Sequence, residues 1–293
     1  MADRKQIGPA TSLVIGGTGL VGGFIVEQLV RRGERPFALS RKEGSGSDNV
    51  QWFRGDLEKP ETLKFPEFST LYCTADAVLL SKRLPQLLNP SLTRVVAFSS
   101  TSVMTKRDTE VPEEREMIGR LASAEQAIGE LCEARGIGWT ILRPTLIYAE
   151  GRDANITPLS RLIRRFGFMP LIGGGPGLRQ PVHAEDLATA AIAAGDRPAA
   201  INKFYALPGP DTVTYREMIG RIFDGMRIPR RMVHVPPLLW RAGFVLVKPL
   251  FPGANVAMGL RMMKDMTFDA TPAKKDLGWN PRAFRPDFAG VAP

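Results

Sequence analysis

Leu13-Val-Ile-Gly-Gly-Thr-Gly-Leu-Val-Gly-Gly23 runs from an apolar stretch into three spaced glycines, and Phe24-Ile-Val-Glu-Gln-Leu-Val-Arg-Arg32 then repeats apolar side chains at helical spacing. Strand, glycine turn and amphipathic helix in that order decide the reading. Gly16 lets the chain turn tightly, Gly19 lets a pyrophosphate approach the backbone, and Gly22 lets helix pack on strand. The first amides of the helix then face the phosphates of a dinucleotide.

The segments that follow extend this pattern. Pro36-Phe-Ala-Leu-Ser-Arg-Lys42 predicts a second strand ending in Ser40, Arg41 and Lys42. A cofactor with a bare ribose is held by an acid about 20 positions after the glycines, whereas cations there suit a 2′-phosphate. No acid stands at that strand end, so NADP(H) is favoured, with NAD(H) as the alternative. A turn is expected over Gly44–Asn49, then a third strand over Val50–Arg54 that leads into Gly55, Asp56 and Leu57. Asp56 is placed to accept from an adenine amino group or to cap the next short helix. Ser69–Thr74 with Ala75 forms a fourth strand and its tip, and the apolar Arg94–Ser100 a fifth, covered on both faces.

Met117, Leu121, Ala124, Ile128 and Leu131 mark a long helix over Pro112–Gly136, opened by acids that suit its dipole. A sixth strand over Ile137–Leu142 follows, and Arg143-Pro-Thr-Leu-Ile-Tyr148 leaves the sheet at its carboxyl edge. Strands alternating with helices imply an α/β fold: a Rossmann-type doubly wound parallel sheet in the order 3-2-1-4-5-6, with a seventh strand as an option. The division into lobes falls near residue 149. Residues 1–149 form the dinucleotide lobe and 150–293 a small C-terminal substrate lobe, from which the chain crosses back to the sheet around 179–206. The second part holds a basic helix from Asn155 to Phe166, a glycine loop at Gly173–Gly177, a helix capped near Glu185 and Asp186, and another after Thr214.

Composition narrows the function classes. Hydrophobic content of 44% and charged content of 24% are those of a globular protein. No uninterrupted apolar run approaches the roughly 20 residues of a membrane span. Met1-Ala-Asp-Arg-Lys5 lacks a following apolar core, so a cytoplasmic location is expected. Cys73 and Cys132 stand far apart without neighbouring histidines, which supports neither a disulfide framework nor a metal site. The net charge of +9 suits nucleic acid, anionic lipid or phosphorylated ligands. Arginines such as Arg161, Arg164 and Arg165 are scattered through helices without basic-aromatic interleaving, which points to a small phosphorylated ligand and away from specific nucleic-acid binding. Leu238–Leu250 is a candidate for peripheral contact with an anionic membrane. Pro236, Pro237, Pro249 and Pro252 break its amphipathic face, so a substrate cleft or a homodimer contact is the preferred reading.

Gly16-Gly-Thr-Gly-Leu-Val-Gly22, Gly55-Asp-Leu57, Phe98-Ser-Ser-Thr101, Trp139-Thr-Ile-Leu-Arg-Pro144 with Tyr148, and Arg179-Gln-Pro-Val-His-Ala-Glu-Asp-Leu-Ala188 occur in this order. Over most of its length the chain resembles the extended short-chain dehydrogenase/reductases, which include nucleotide-sugar epimerases and dehydratases. The resemblance implies a Rossmann lobe binding NAD(P) and a C-terminal lobe closing over a small-molecule substrate. The cofactor contacts expected are Gly16, Thr18, Gly19, Leu20, Val21, Ser40, Arg41, Lys42, Asp56, Leu57, Cys73, Thr74, Ala75, Ser99, Ser100, Pro144, Thr145 and Ile147. Those expected on the substrate side are Thr101, Asn155 and Arg179, the last matching an arginine that contacts a diphosphate in sugar-nucleotide members.

The family's chemistry uses a Tyr-x-x-x-Lys pair on the long helix, the lysine lowering the tyrosine pKa so that the phenol exchanges a proton with the substrate oxygen. Aligning Glu125 with the acid that trails this pair puts Met117 and Leu121 at its positions, and no tyrosine lies between Tyr72 and Tyr148. Thr101, at the family's Ser/Thr position, and Tyr148 are the catalytic candidates left. His183, in a Pro-Val-His strand, matches a structural residue, and Cys73 reads as a small apolar filler near the cofactor. Three readings follow: an atypical oxidoreductase or epimerase/dehydratase-like enzyme on an unidentified, phosphorylated or nucleotide-linked substrate; a non-catalytic NADP(H)-binding redox sensor or assembly protein; and a scaffold that has lost the cofactor.

Overall fold

The computed structural model describes residues 12–42, 48–105, 109, 111–247 and 256–291. Most of the turn expected at 44–49, the first residues, and 248–250 of the candidate membrane stretch lie outside them. In chain order the elements are β1 (Ser12–Ile15), α1 (Leu20–Arg31), β2 (Phe37–Ser40), β3 (Gln51–Arg54), β4 (Thr70–Cys73), α2 (Ala77–Leu87), β5 (Arg94–Phe98), α3 (Ser102–Thr105), α4 (Pro112–Ala134) and β6 (Gly138–Pro144). There follow β7 (Ile147–Tyr148), α5 (Thr157–Phe166), β8 (Met169–Ile172), β9 (Leu178–Arg179), β10 (Val182–His183), α6 (Ala184–Asp196), β11 (Lys203–Leu207), β12 (Val213–Thr214), α7 (Tyr215–Gly225), β13 (Met232–Val235), α8 (Pro237–Val247), α9 (Val256–Leu260) and α10 (Thr271–Leu277).

These elements form two compact units. The first runs to Pro144 and takes in Ala184–Leu207 and Asp269–Asn280; the second holds Thr145–His183, Pro208–Phe268 and the chain from Pro281 onward. The change of unit after Pro144 lies a few residues before the expected division near 149. The chain returns twice: first to complete the edge of β6 with β11, residue for residue from Thr140 opposite Lys203 to Pro144 opposite Leu207, and again with α10, whose Asp276 accepts from Lys203 and Tyr205 of β11.

The first unit is built on a seven-stranded sheet in the order β3-β2-β1-β4-β5-β6-β11, parallel throughout. This is the expected Rossmann order with the seventh strand present. β1, β4 and β5 are almost wholly buried, which explains why they read as continuous apolar runs and not as alternations. One core lies against α2 and α4, where Leu80, Leu84, Ile128 and Cys132 meet Leu13, Leu71, Val95 and Trp139. On the other face α1 and α6 pack together, and Gln28 Nε2 donates to the Glu185 carbonyl at 3.1 Å.

Three sequence expectations are corrected here. α1 begins at Leu20, four residues before the expected Phe24, so Gly22 and Gly23 lie inside its first turns. β6 continues to Pro144 because β11 supplies partners beyond Leu142. The buried stripe of α4 is Ile118, Ala124, Glu125, Ile128, Gly129 and Cys132, which keeps the expected Ala124 and Ile128, leaves Leu121 and Leu131 partly buried against the core, and exposes Met117. The cause is polar. Glu125 turns inward to pair with Arg143, and Gly129 admits the Trp139 ring, against which a Cβ would stand at 3.2 Å. An apolar pattern search passes over a buried carboxylate and settles on its neighbours.

The second unit has its own core, in which Tyr148, Ile156, Leu171, Ile219, Phe223, Phe284 and Phe288 are buried together. Among the described residues its sheets are two-stranded, β7 with β10, β9 with β12 and β8 with β13. Among the described residues no helix is long and apolar enough to cross a membrane.

Candidate functional site

β1 ends at Ile15 and the chain turns through Gly16 at φ 83°, a region that L side chains rarely adopt. The Gly16 and Gly17 amides both donate to the Leu39 carbonyl, at 3.0 and 3.1 Å, which ties the turn to the end of β2. A Cβ at Gly16 would stand 2.6 Å from Thr74 Oγ1, and one at Gly22 would collide with the Gly16 carbonyl oxygen. Two glycines near the start of α1 cost helix propensity of about 1 kcal/mol each relative to alanine. At Gly22 the collision with backbone outweighs that cost. Thr74 braces the turn from the end of β4 by donating to the Ile15 carbonyl at 3.1 Å.

Gly19 is the N-cap of α1; no side chain accepts from its first amides and no acid stands in its first turn. Among the described residues no side chain therefore caps the positive end of this helix. A cavity of about 780 Å³ opens beside it at the carboxyl ends of β1, β2, β3 and β4. Ten of the expected cofactor residues line it: Gly16, Thr18, Gly19, Ser40, Arg41, Lys42, Asp56, Leu57, Thr74 and Ala75. Thr18 and Ser40 share a hydroxyl hydrogen bond of 2.6 Å, and Ser40 Oγ also accepts from the Lys42 amide at 3.1 Å. That pair fixes the strand end from which the exposed Arg41 and Lys42 project. Neither cation makes an ion pair among the described residues. Asp56 Oδ1 accepts from the Glu58 amide at 3.0 Å, a turn contact that precedes the short 3-10 helix at Pro60–Thr62 and does not cap it. A glycine cradle that a Cβ would fill, an uncompensated helix start and two free cations fit the shape and charge of a phosphorylated dinucleotide.

The cavity is also lined by Ile15, Leu39, Gly55, Glu58, Asp76 and Leu79, which sequence reasoning did not single out. Asp76 was legible as an N-cap before the apolar run of α2, where it accepts from the Leu79 amide at 3.0 Å. Arg83 holds the wall at Leu57 and Glu58 by donating to their carbonyls at 2.8 and 3.1 Å, a contact between positions 25 and 26 apart that no local signal announces.

Eight expected cofactor residues lie off this cavity. Val21 faces the core of α1, and Leu20 does not line the cavity. Cys73 is fully buried, as a small apolar filler would be, and burial pushes its thiol up to about 12. Ser100 Oγ accepts from the Ser102 amide at the start of α3, while Ser99 Oγ is buried without a partner. The Pro144 carbonyl accepts from both the amide and the hydroxyl of Thr101, at 3.2 and 3.0 Å. Thr101 therefore uses its one hydroxyl proton structurally. Thr145 and Ile147 belong to the second unit, where Thr145 Oγ1 donates to the Gln180 carbonyl and Ile147 pairs with Val182.

The remaining candidates of the second unit also serve its framework. Tyr148 is 2% exposed, edge-on to His183 and Phe284 with ring centres 5.1 and 5.0 Å away, so it is a core ring and not an exposed acid. Arg179 is 6% exposed, and Nη1 spends its hydrogens on the carbonyls of Leu178 and Lys264 while Nη2 donates to that of Arg261. Burial lowers its pKa, and its guanidinium stacks 5.5 Å from the Tyr215 ring. It clamps backbone where a diphosphate contact was expected. Asn155 Nδ2 donates to the Ile147 carbonyl at 2.8 Å, and its amide donates to Asp153. Asp153 was missed: its buried carboxylate accepts from the amides of Ala149, Asn155, Ile156 and Thr157 and from the Thr157 hydroxyl. Asp at this spacing before Thr157-Pro158 was the signal for a capped helix start. α4, from Pro112 to Ala134, contains neither tyrosine nor lysine. Among the described residues no group of three or more His, Cys, Asp or Glu side chains is gathered for a metal ion.

No family model matches the chain. NADH dehydrogenase (ubiquinone) 1 alpha subcomplex subunit 9, mitochondrial, of Arabidopsis thaliana is 29% identical over 257 residues, 80% of this chain and 62% of that protein. NAD(P)H azoreductase of Xenophilus azovorans is 26% identical over 235 residues, 76% of each. Among solved structures, UDP-glucose 4-epimerase of Thermotoga maritima with UDP-glucose superposes with a TM-score of 0.69 at 16% identity, covering 93% of this chain and 94% of that one. UDP-glucose 4-epimerase of Vibrio cholerae is 22% identical over 312 residues, 95% of this chain and 92% of that protein, so the relatives named include an NAD(P)H azoreductase and an epimerase, and the solved structures share the fold.

Proposed function

We propose that the chain binds NADP(H) in the cavity of its first unit and acts through that binding, as a redox-responsive or assembly component, without the Tyr-x-x-x-Lys chemistry of the family it resembles. The observation that carries this reading is the make-up of α4, which holds Met117 and Leu121 and has no tyrosine or lysine along its length. The other proton-transfer candidates support it, since Thr101 donates to Pro144 and Tyr148 is buried among Phe284 and His183. In the cavity, Gly16, Thr18 and Gly19 would hold the pyrophosphate at the start of α1, while Arg41 and Lys42 beside Ser40 would meet a 2′-phosphate. A bound nicotinamide would supply reversible hydride chemistry. One relative is named as a subunit of a larger assembly, which accords with a role exercised through binding.

A second reading, turnover on a carbonyl or nucleotide-sugar substrate, rests on the names of the azoreductase and epimerase relatives. The two separate cleanly. Titration calorimetry is expected to show NADPH binding more tightly than NADH; no binding of either overturns both readings, and equal affinity overturns the 2′-phosphate assignment. With 4-deuterated NADPH and panels of carbonyls and sugar nucleotides, no deuterium is expected in any product. Its appearance in one would overturn action through binding alone.

A further inference from the structure

The net charge is not shared between the units. The second unit contains sixteen lysines and arginines against seven aspartates and glutamates, which accounts for the whole +9, while the first contains twenty-three of each. The second unit also bares apolar side chains that its core does not use. Leu238 and Leu239 at the start of α8 are 78% and 65% exposed, and Val233, Phe166 and Phe168 are exposed as well.

Phe168 and Val233 share one face of the β8–β13 pair. β8 and β13 pair in parallel with Met169 opposite Met232 and Pro170 opposite Val233. Met169 and Leu171 are buried in the unit's core, so by strand alternation Phe168, Pro170, Arg231 and Val233 point the other way. β13 leads through Pro236 directly into α8, whose exposed Leu238 and Leu239 are followed by an exposed Arg241. Arg231 and Arg241 make no ion pair among the described residues, unlike Arg230, which is held by Asp224 and Glu217. Apolar side chains standing out of a basic surface are the composition that inserts among lipid headgroups, where each lysine or arginine adds attraction to anionic lipid. Among the described residues no helix is long and apolar enough to span, and the contact proposed is with the surface.

We propose that the β8, β13 and α8 face of the second unit docks onto an anionic phospholipid bilayer, with Leu238 and Leu239 entering the interface and Arg231 and Arg241 engaging phosphate headgroups. The inference stands independently of the dinucleotide reading. The test is sedimentation of the full chain with vesicles of phosphatidylcholine alone and of phosphatidylcholine with an equal amount of phosphatidylglycerol. Binding is expected to the anionic vesicles and not to the neutral ones, and to weaken with salt. The Leu238→Glu, Leu239→Glu double variant, changed only at exposed positions, should lose binding at least about tenfold with unchanged circular dichroism. Arg231→Ala and Arg241→Ala should each lose about fivefold. No binding to anionic vesicles overturns the proposal. So does full binding by the leucine variant, and so does equally tight binding of wild type and leucine variant to a single-stranded RNA homopolymer, since either makes the surface a general polyanion site.

Discussion

The two units treat their polar side chains in opposite ways. In the first, the chain's own bonds stop at the rim of the cavity: Thr18 and Ser40 hold each other, Thr74 holds the turn, and Arg41, Lys42 and the start of α1 face outward unneutralised. In the second, comparable groups are consumed by the framework, Arg179 by three carbonyls and Asp153 by four amides and a hydroxyl. A residue type therefore does not make a site. A ligand can be recognised only by donors and charges that the fold leaves unspent, and these lie along the carboxyl ends of β1 to β4.

The contrast can be broken experimentally. The largest effect is expected at Gly22, where Gly22→Val drives a side chain into the Gly16 carbonyl; it should cost about 4 kcal/mol and abolish NADPH binding, measured by denaturant midpoint and calorimetry. If NADPH still binds, the turn is not the cradle. Next comes Asp153→Ala, which strips five donors of a buried acceptor and should destabilise by about 3 kcal/mol, read from urea unfolding, with NADPH affinity unchanged. Arg41→Ala should leave stability alone and weaken NADPH by about 1 to 3 kcal/mol while sparing NADH.

The smallest effect concerns pH. Burial alone would raise the Glu150 carboxyl, but His183 and the amides of Glu150 and Asp287 outweigh it and hold the group below its ordinary value. The stabilisation this gives is complete above the unfolded value of about 4.3 and is lost as pH falls through the lower folded one. The stability gap between wild type and Glu150→Gln should accordingly narrow below about pH 4. A gap that widens with acidification would reverse the assignment.

The same contrast explains what the sequence disclosed. The sheet order and the ten cavity residues were legible because strand burial and the glycine turn are local patterns with a fixed period. Arg179 was not, since its partners at Arg261 and Lys264 lie more than eighty residues on, and nothing near Arg179 says whether carbonyls or a ligand will take its hydrogens. In α4 the expected Ala124 and Ile128 are buried, but Glu125 beside Ala124 was not legible because it is buried through Arg143, eighteen residues away, against the usual rule for carboxylates. Tyr148 stood at the expected sheet edge, but only the packing of Phe284 determines that it is a core ring.

The return of the chain to lay β11 beside β6 and α6 beside α1 bears on how the molecule forms as it is made. Thr140 of β6 waits 63 residues, from 140 to 203, for Lys203 of its partner strand, and Gln28 waits 157 for the carbonyl of Glu185. During synthesis at about 5 to 20 residues per second, the nucleotide-type sheet emerges with one edge and one face bare for several seconds. The residues that make the Asp76 and Thr74 contacts near the glycine turn have all been synthesised before then. The ligand cavity thus takes shape on the nascent chain ahead of the domain that contains it, and a dinucleotide bound early would act as a folding partner.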